Sequence, residues 1–346
     1  MLRYLTAGES HGKALLAILE GMPAGLKVRK EKIDAELLHR QSGYGRGPRM
    51  KIEKDKAQII SGLHKGITMG SPIGLLIENK DFSIEKSPKV TCPRPGHADL
   101  SGVLKYGFSD ARDVLERASA RETASRVGIG ALCKIFLSEF KISISSQVIS
   151  IGGETFPENR KEKISEAIKE KDTVGGIFEI IAKGVPCGLG SYVQADKRLD
   201  ARLAAGIMSI PGIKAVEFGL GFGYADKFGS EVHDAIYYAK NRGYFRKTNN
   251  AGGIEGGISN GEDIVLRACM KPISTLLNPL DSVNISTKKP AKATVERSDI
   301  CVVEAAGVVA ESAVAFVLSD ALLEKFGSDC LCDIKKAYQE YLSRIK

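Results

Sequence analysis

The chain has 346 residues, with 50 lysines and arginines against 42 aspartates and glutamates, and a formal net charge of +8. Hydrophobic residues make up 43% and charged residues 27% of it, which is typical of a folded globular protein and excludes a mainly disordered chain. The 37 glycines and 12 prolines exclude a coiled coil, and the length suits two average domains or one large one.

The N-terminal half predicts short strands and helices separated by glycine-rich loops. We expect strands at 2–7 and 14–19, one ending at 59–60 and one at 72–78, and helices at 29–40 and from the capping-box sequence 119–122 onward. Polar, glycine-rich loops are expected at 8–12 and 41–49. Residues 80–110 have little periodicity, and a long ordered loop of this kind is more often functional than not.

The C-terminal half predicts more strands and one long apolar helix. Strands are expected at 176–182, 215–218 and 264–270, helices at 201–210 and 304–326, and a surface helix or linker at 158–172. Gly327 is the expected C-cap of the last long helix. Residues 219–250 are rich in glycine and charge and are expected to be mobile, and 251–261 form a second glycine cluster. Without regular strand–helix alternation, GxGxxG or Walker A, the pattern indicates an α+β fold and not a Rossmann fold.

No segment predicts a transmembrane helix or a secretory signal. The most apolar stretch, 302–323, is interrupted by three acidic residues, and the N-terminus has no basic start followed by an apolar core. The seven cysteines include no Cys-x-x-Cys pair, so we expect reduced, buried thiols in a cytoplasmic protein and no zinc site. Cys330 and Cys332 lie close together but have no second pair.

Arginines recur beside glycines and at helix starts. They are Arg40, Arg46, Arg49, Arg94, Arg117, Arg121 and Arg297. Guanidinium groups bind phosphate and carboxylate bidentately, so converging loops would make a deep cationic pocket for a multiply anionic small molecule. A solvated basic surface is an equally open interpretation. A single-strand nucleic-acid binder is a further hypothesis, which the low aromatic content of 6% and the absence of Trp disfavour.

His11 and His97 lie in glycine-flanked polar turns and are candidates for an acid and a base, although turn histidines are usually just solvated. Asp299 is the matching carboxylate candidate, and its alternative role is the N-cap of the last long helix. Ser119 is better explained as a cap than as a nucleophile. Lys271, at a strand end, binds a phosphate or faces solvent.

Seven motifs together resemble the signature blocks of the chorismate synthase family, in the family's order along the chain. They are GESHG at 8–12, GYGRGPR at 43–49, RPGHAD at 94–99, ERASARETA at 116–124, AGGIEGG at 251–257, KPIST at 271–275 and RSD at 297–299. The resemblance implies a phosphate lyase that converts 5-enolpyruvylshikimate 3-phosphate to chorismate by a 1,4-anti elimination and requires reduced FMN. The alternative is a flavin-independent binder of a phosphorylated metabolite, which a flavin titration would distinguish.

The resemblance also implies an architecture and partners. The fold would be a β-α-β sandwich with helices between antiparallel sheets, in a single large domain over 1–346. The enzyme would be a cytoplasmic homotetramer without metal, nucleic-acid or membrane partners. The short chain is similar to the bacterial, monofunctional members, so a separate flavin reductase would supply reduced FMN, and NADPH would serve only indirectly as the source of electrons.

Site roles carry over residue by residue. His97 matches the histidine that protonates the leaving phosphate, His11 the one that protonates reduced flavin near N1, and Asp299 the carboxylate that helps flavin N5 take the substrate proton. Substrate-anion positions match Arg40, Arg46, Arg49, Arg94 and Arg121, of which the first two also match nicotinamide-nucleotide contacts. Flavin contacts match Arg117, Ala118, Ser119, Gly256, Lys271, Pro272, Ile273, Ser274, Thr275 and Arg297. Pro211 and Gly212 are left out because a more polar pair is expected there.

Overall fold

Two antiparallel sheets of four strands each lie on either side of a helical layer in the computed structural model, which describes residues 1–240 and 242–345. The N-terminal sheet has the order β1-β2-β6-β3 and consists of β1 (Arg3–Ala7), β2 (Ala14–Glu20), β3 (Ala57–Ile59) and β6 (Ile73–Glu78). A short ribbon, β4 (Leu63–His64) and β5 (Ile67–Thr68), connects β3 to β6. Along β2, side chains alternate between buried and exposed, so only one face of this sheet meets the helices.

The second sheet has the order β7-β8-β14-β9. It consists of β7 (Ser143–Ile151), β8 (Gly176–Lys183), β9 (Ile213–Phe218) and β14 (Ile264–Met270). Strict alternation in β14 buries Ile264, Leu266, Ala268 and Met270 on one face. Alternation explains why β14 was predictable, whereas β2, which also exposes Leu16 and Ile18, was predicted from its continuous apolar run. Strand β7, in which serines occupy several positions, was not predicted.

Helices α1 (Lys30–Gln41), α5 (Thr123–Ser138), α7 (Leu199–Met208) and α9 (Val303–Phe326) form the layer between the sheets. Helix α5 packs on the N-terminal sheet and α9 on the second sheet, and the two helices pack against each other. One buried apolar cluster extends from Leu2 to Tyr338 and includes side chains of both sheets. The structure therefore confirms the α+β sandwich with internal helices, and the continuous core favours a single domain.

The remaining helices lie around this sandwich. They are α2 (Arg49–Ile52), α3 (Asp99–Tyr106), α4 (Arg112–Ala118), α6 (Pro157–Lys169), α8 (Gly229–Val232) and α10 (Leu331–Arg344). Short 3₁₀ turns lie at Ile84–Lys86, Ala120–Glu122, Ala195–Lys197 and Gly221–Asp226. Short ribbons pair β10 (Ile236–Ala239) with β11 (Gly243–Arg246), β12 (Ile254–Glu255) with β13 (Ile258–Ser259), and β15 (Asp281–Val283) with β16 (Pro290–Lys292).

Several expectations need correction. Residues 80–110 are not a continuous loop, because α3 lies inside them. Its apolar positions gave no clear period, since Leu100 and Leu104 are exposed while Val103 is buried. Asp299 is not the N-cap of α9, which begins at Val303 with Val302 before it. Residues 219–250, expected to be mobile, form short helices and the β10–β11 ribbon, with Asn241 outside the described residues.

The cysteines are free, as expected, but they are not uniformly buried. Cys133 and Cys301 are buried, whereas Cys187 and Cys332 are exposed. Burial raises the pKa of the Cys133 thiol to about 12, which makes that thiol unreactive. The expectation of buried thiols is therefore wrong for Cys187 and Cys332, which the fold leaves exposed to solvent.

Within residues 1–240 and 242–345, helix α9 alone is long and apolar enough to cross a membrane by length and composition. Its most apolar window is 83% buried inside the protein, as for a core helix that packs on a sheet and on neighbouring helices. Gly327 ends this helix and donates its N–H to the carbonyl of Leu323, which confirms the predicted C-cap.

Candidate active site

A cavity of about 300 Å³ opens where loops from both halves of the chain meet the ends of α5 and α9. Most of the candidate residues from the sequence line it. They are His11, Arg40, Arg46, Arg49, Arg94, His97, Ala118, Ser119, Arg121, Lys271, Pro272, Ile273, Ser274, Thr275, Arg297 and Asp299. The fold thus brings into one cavity residues that are separated by up to almost three hundred positions in the sequence.

His11 is held from behind by Glu116, a side chain only 1% exposed. The His11 backbone N–H donates to Glu116 Oε2 at 2.7 Å, and the imidazole Nδ1 lies 2.9 Å from Oε1. Burial alone would raise the pKa of Glu116, but the hydrogen bonds from His11 outweigh it and hold the pKa below its ordinary value. A charged carboxylate at Nδ1 favours a proton on that nitrogen and leaves Nε2 for other partners.

The turn before His11 is fixed by glycine. Gly8 has a φ of +102°, and a Cβ there would lie 2.4 Å from the carbonyl oxygen of Ala14. In the same turn, Ser10 donates its N–H to the Glu116 carbonyl at 2.9 Å, and its Oγ accepts a hydrogen bond from Arg49 Nη1 at 2.7 Å. Arg49 Nη1 also lies 3.4 Å from His11 Nε2. The turn therefore aims the free nitrogen of His11 at an arginine of the cavity.

His97, like His11, has a buried carboxylate partner, which is Asp99. The imidazole Nδ1 lies 2.5 Å from Asp99 Oδ1, and Arg94 contacts the same carboxylate through Nε at 2.8 Å and Nη2 at 3.0 Å. Arg94 also donates to Thr275 Oγ1 at 2.8 Å. Burial would raise the pKa of Asp99, but the hydrogen bonds from His97 and Arg94 outweigh it, and the pKa lies well below its ordinary range. Asp99 therefore stays charged between His97 and Arg94.

Asp299 contacts the glycine-rich loop. Its Oδ1 accepts the Gly47 N–H, and its Oδ2 lies 3.2 Å from Arg46 Nε. A Cβ at Gly47 would lie 2.8 Å from the carbonyl oxygen of Ser298, so the loop can approach this closely only with glycine there. The carboxylate therefore joins the segment before α9 to the loop that carries Arg46 and Arg49.

Two largely buried arginines of the cavity wall, Arg40 and Arg121, share one acid, Asp55. Arg121 donates from Nη1 to Asp55 Oδ2 at 2.6 Å and from Nε to Asn79 Oδ1 at 2.8 Å, and Arg40 donates to Thr123 Oγ1 at 3.0 Å. Burial lowers the pKa of Arg40 to about 10, although Asp55 opposes this shift. Two guanidinium groups share this carboxylate, and Arg121 Nη2 also lies 3.8 Å from buried Glu53 Oε2, so acids offset part of the positive charge of the wall.

Three arginines of the wall have buried N–H groups without a hydrogen-bond partner among the described residues. They are Arg46 Nε, Arg49 Nε and Arg121 Nη2. Buried donors cost free energy when they lack an acceptor, and native proteins rarely leave them so. Arg46 Nε lies 3.2 Å from Asp299 Oδ2 and Arg121 Nη2 lies 3.8 Å from Glu53 Oε2, so Arg49 Nε is the one of these three donors without a paired carboxylate among the described residues.

Lys271 lies at another side of the cavity. Its Nζ donates to the carbonyl of Gly96 at 2.6 Å and contacts Ser274 Oγ, which also donates to that carbonyl at 2.8 Å. Burial, with smaller contributions from Lys214 and Arg94, lowers the pKa of Lys271. This lysine lines the cavity and is tied to the loop that carries His97, so the solvent-facing alternative does not apply.

The structure does not bring every candidate residue into the cavity. The Arg117 guanidinium donates to the carbonyls of Gly8 and Thr6 at 3.0 and 3.1 Å, so it supports the turn and does not line the wall. Gly256 lies between β12 and β13 and is not among the lining residues. Arg297 lines the cavity and donates to Asp81 at 2.8 Å. Flavin contacts by Arg117 and Gly256 stay predictions without support from this geometry.

Sequence reasoning missed several functional positions. Glu116 and Asp99 lay inside the quoted motifs ERASARETA and RPGHAD, so their signal was available. Pro211 and Gly212 were excluded as too apolar, yet both line the cavity. They belong to an apolar wall formed by Ile210, Pro211, Gly212, Met270, Val302, Ala305, Ala306 and Val309. Asp55, by contrast, gave no sequence signal, because its partners are distant arginines.

Comparison with known proteins gives the same family at every level. The chorismate synthase family model matches residues 2–323. The chain is 56% identical to the chorismate synthase of Caldanaerobacter subterraneus subsp. tengcongensis, covering 100% of this chain and 99% of that one. It is 51% identical to that of Aquifex aeolicus, covering 100% and 98%. A crystal structure of chorismate synthase superposes with a TM-score of 0.83 at 43% identity, covering 99% and 98% of the two chains.

Proposed function

The chain belongs to the chorismate synthase family, and we propose that the arginine-lined cavity is its active site. The reaction of the family is the elimination of phosphate from 5-enolpyruvylshikimate 3-phosphate to give chorismate, which makes this chain a carbon–oxygen lyase acting on phosphate. The observation that carries the proposal is the convergence of six arginines and two histidines, each paired with a buried carboxylate, on one cavity.

The charges of the substrate account for the arginines. It carries a phosphate and two carboxylates, which Arg40, Arg46, Arg49, Arg94 and Arg121 would neutralise. Arg49 Nε, which has no partner among the described residues, is suited to an anionic oxygen, because guanidinium–oxyanion hydrogen bonds are about twice as strong as neutral ones. Arg40 is nearly covered, with a side chain 6% exposed, so it would act mainly through its charge.

Reduced FMN fits the residues that remain. The apolar wall that includes Pro211, Ala305 and Val309 offers a surface for a flat ring system, while Ser119, Lys271 and Ser274 offer polar groups beside it. When bound, the reduced flavin supplies the electron density that assists departure of the phosphate. Residues Ala118 to Ser119, Lys271 to Thr275 and Arg297 would hold it.

The histidines would move protons. His97, fixed through Nδ1 by Asp99, would present Nε2 to protonate the leaving phosphate. His11, fixed by Glu116, would protonate the cofactor, and Asp299 would assist removal of the ring proton of the substrate. Each of these side chains is already positioned by bonds to its neighbours, which lowers the cost of reaching a reactive geometry.

The decisive experiment is anaerobic phosphate release from 5-enolpyruvylshikimate 3-phosphate with dithionite-reduced FMN, recorded beside chorismate absorbance. Equal appearance of both products, absent with oxidised FMN, is expected. If the folded protein binds the flavin but forms neither product, the proposed site chemistry is wrong.

We also propose that electrons reach the flavin from a separate reductase in the cytoplasm, with NADPH only their indirect source. The free cysteines are in keeping with a reducing compartment. Chorismate formation in air from NADPH and oxidised FMN, with no reductase added, would show that the chain reduces its own flavin.

A homotetramer is the proposed assembly. The outer face of the N-terminal sheet exposes apolar side chains in neighbouring strands, with Leu5 opposite Ile18 at 74% and 50% exposure. Exposed apolar patches on a sheet face mark association sites more often than free surface. Light scattering after size-exclusion chromatography should give four times the mass of the chain, and replacing Leu5 and Ile18 by threonine should lower that mass.

A further inference from the structure

Cys330 and Cys332 form a close thiol pair at the start of α10, outside the proposed active site. Their sulfur atoms lie 2.7 Å apart. A disulfide bond is about 2.05 Å long, so these sulfurs need to approach by only about 0.65 Å to be bonded. Cys330 is half-buried and Cys332 is exposed, so small reagents can reach the pair.

The backbone around the pair is fixed by a neighbouring loop. Ala24 donates its N–H to the carbonyl of Asp329 at 2.9 Å, and its own carbonyl accepts the Leu331 N–H at 3.0 Å. The Leu331 side chain, between the two cysteines, is buried in the main core. The anchored leucine keeps both thiols at the surface and close to each other, so little chain entropy is lost when they bond.

We propose that Cys330 and Cys332 are a reversible dithiol–disulfide site that exchanges with low-molecular-weight disulfides. The Cys330 thiolate attacks one sulfur of the small disulfide, forms a mixed disulfide and releases one small thiolate. The Cys332 thiolate then attacks the Cys330 sulfur, forms the intrachain bond and releases the second small thiolate. The small disulfide gains two electrons and the two cysteine protons and becomes two thiols.

The assignment of Cys330 as the first nucleophile follows from its neighbours. Hydrogen bonding from Cys332 lowers the pKa of the Cys330 thiol, and Cys330 lies at the N-terminus of α10, where negative charge is favoured. The more exposed Cys332 is then left to resolve the mixed disulfide. Intramolecular thiol–disulfide exchange needs one thiol that attacks first and a second nearby thiol that resolves the mixed disulfide.

Cys187 is the matched control, because its thiol is also exposed and it belongs to the same reduced set. Among the described residues, no second thiol lies within hydrogen-bond distance of the Cys187 sulfur. Cys187 is therefore expected to form mixed disulfides and not an intrachain bond. The whole chain would be equilibrated in buffers of graded oxidised and reduced glutathione, quenched with acid, alkylated and mapped by peptide mass.

We expect the peptide with Cys330 and Cys332 to lose two hydrogen atoms at a glutathione ratio at least about tenfold more reducing than the ratio that modifies Cys187. In Cys332→Ser, Cys330 should instead carry glutathione, at about the ratio that modifies Cys187. Phosphate release should be unchanged in both Cys332→Ser and Cys187→Ser, since neither residue lines the cavity.

Two results would overturn the proposal. The first is glutathione attached separately to Cys330 and Cys332 in the wild-type chain without an intrachain bond. The second is a pair that stays reduced until Cys187 reacts but is protected from alkylation by Zn²⁺. That result would identify a metal site, with Asp333 Oδ1, 3.6 Å from the Cys332 sulfur, as its third ligand.

Discussion

Each cavity histidine is backed by a carboxylate that is fully covered by protein. Glu116 contacts both the backbone and the ring of His11, and Asp99 contacts the ring of His97. Such a partner fixes both the orientation and the tautomer of an imidazole, so the reactive nitrogen is the one that faces the cavity. At the residue scale, the proposed chemistry of the site therefore depends on two acids, Glu116 and Asp99, that are not among the lining residues of the cavity.

Replacing His97 by alanine should lower turnover by about 100-fold or more, because a positioned proton donor contributes roughly that much. FMN binding should survive, since His97 is not among the residues proposed to hold the flavin. The measurements are anaerobic phosphate release and a flavin titration, with His39→Ala, an exposed position on α1, as the control. Loss of flavin binding in His97→Ala would contradict the assigned role.

Glu116 is expected to act as a positioning residue. Glu116→Gln removes the charge at His11 Nδ1 but keeps the size, so kcat should fall at least about tenfold while KM changes little. The ¹⁵N chemical shifts of His11 should report a mixture of tautomers in the variant and one tautomer in the wild type. Glu122→Gln is the matched control, because Glu122 is buried nearby but pairs with Arg126. An unchanged His11 spectrum in Glu116→Gln would refute the positioning role.

At the element scale, contact between α5 and α9 sets how closely the helical layer packs. A Cβ at Gly130 would lie 2.2 Å from Ser312 Cβ and 2.4 Å from Ser312 Cα, so the helices meet where one has no side chain. Ser319 Oγ reaches the Cys133 carbonyl at 3.5 Å farther along the same contact. Both helices begin at the cavity, where Thr123 and Ala305 are among the lining residues.

Gly130→Ala should therefore lower the free energy of unfolding by about 1–3 kcal/mol, the usual cost of overpacking a core. Gly128→Ala is the matched control on the same helix, because its Cβ would meet only Leu75 Cδ1, at 3.1 Å. The methyl end of Leu75 can move, and alanine favours the helix by up to about 1 kcal/mol over glycine. Urea unfolding measures both variants, and equal destabilisation of the two would contradict the close-contact argument.

At the scale of the whole molecule, the charged network ties stability to pH. In the folded chain the pKa of Asp99 is below the ordinary 3.8 and that of Glu116 is below 4.5, because hydrogen bonds to the charged carboxylates outweigh burial. Above these ordinary values both states are ionised and the full stabilisation is present. As the pH falls through them, the unfolded chain binds protons first, so stability is lost.

The free energy of unfolding should therefore decrease as the pH is lowered from about 5 to 3. Asp99→Asn should show a shallower decrease, because the group that titrates is removed, whereas Asp226→Asn, at an exposed position, should follow the wild type. Thermal or urea unfolding at several pH values tests this. Identical slopes for wild type and Asp99→Asn would rule out Asp99 as a source of the pH dependence.

The sequence by itself determined the elements that have a local apolar pattern. Strand Ile264–Met270 follows from spacing, because one buried face imposes a period of two, whereas strand Ala14–Glu20 and the largely buried helix Val303–Phe326 follow from continuous apolar runs. The same local information identified the family, since its motifs are contiguous. Tertiary structure alone decided that Glu116 holds His11 and that Asp299 contacts Gly47 and not the start of α9. Those contacts join residues more than a hundred positions apart. A local sequence pattern contains no information about which distant segments of the chain the fold brings together.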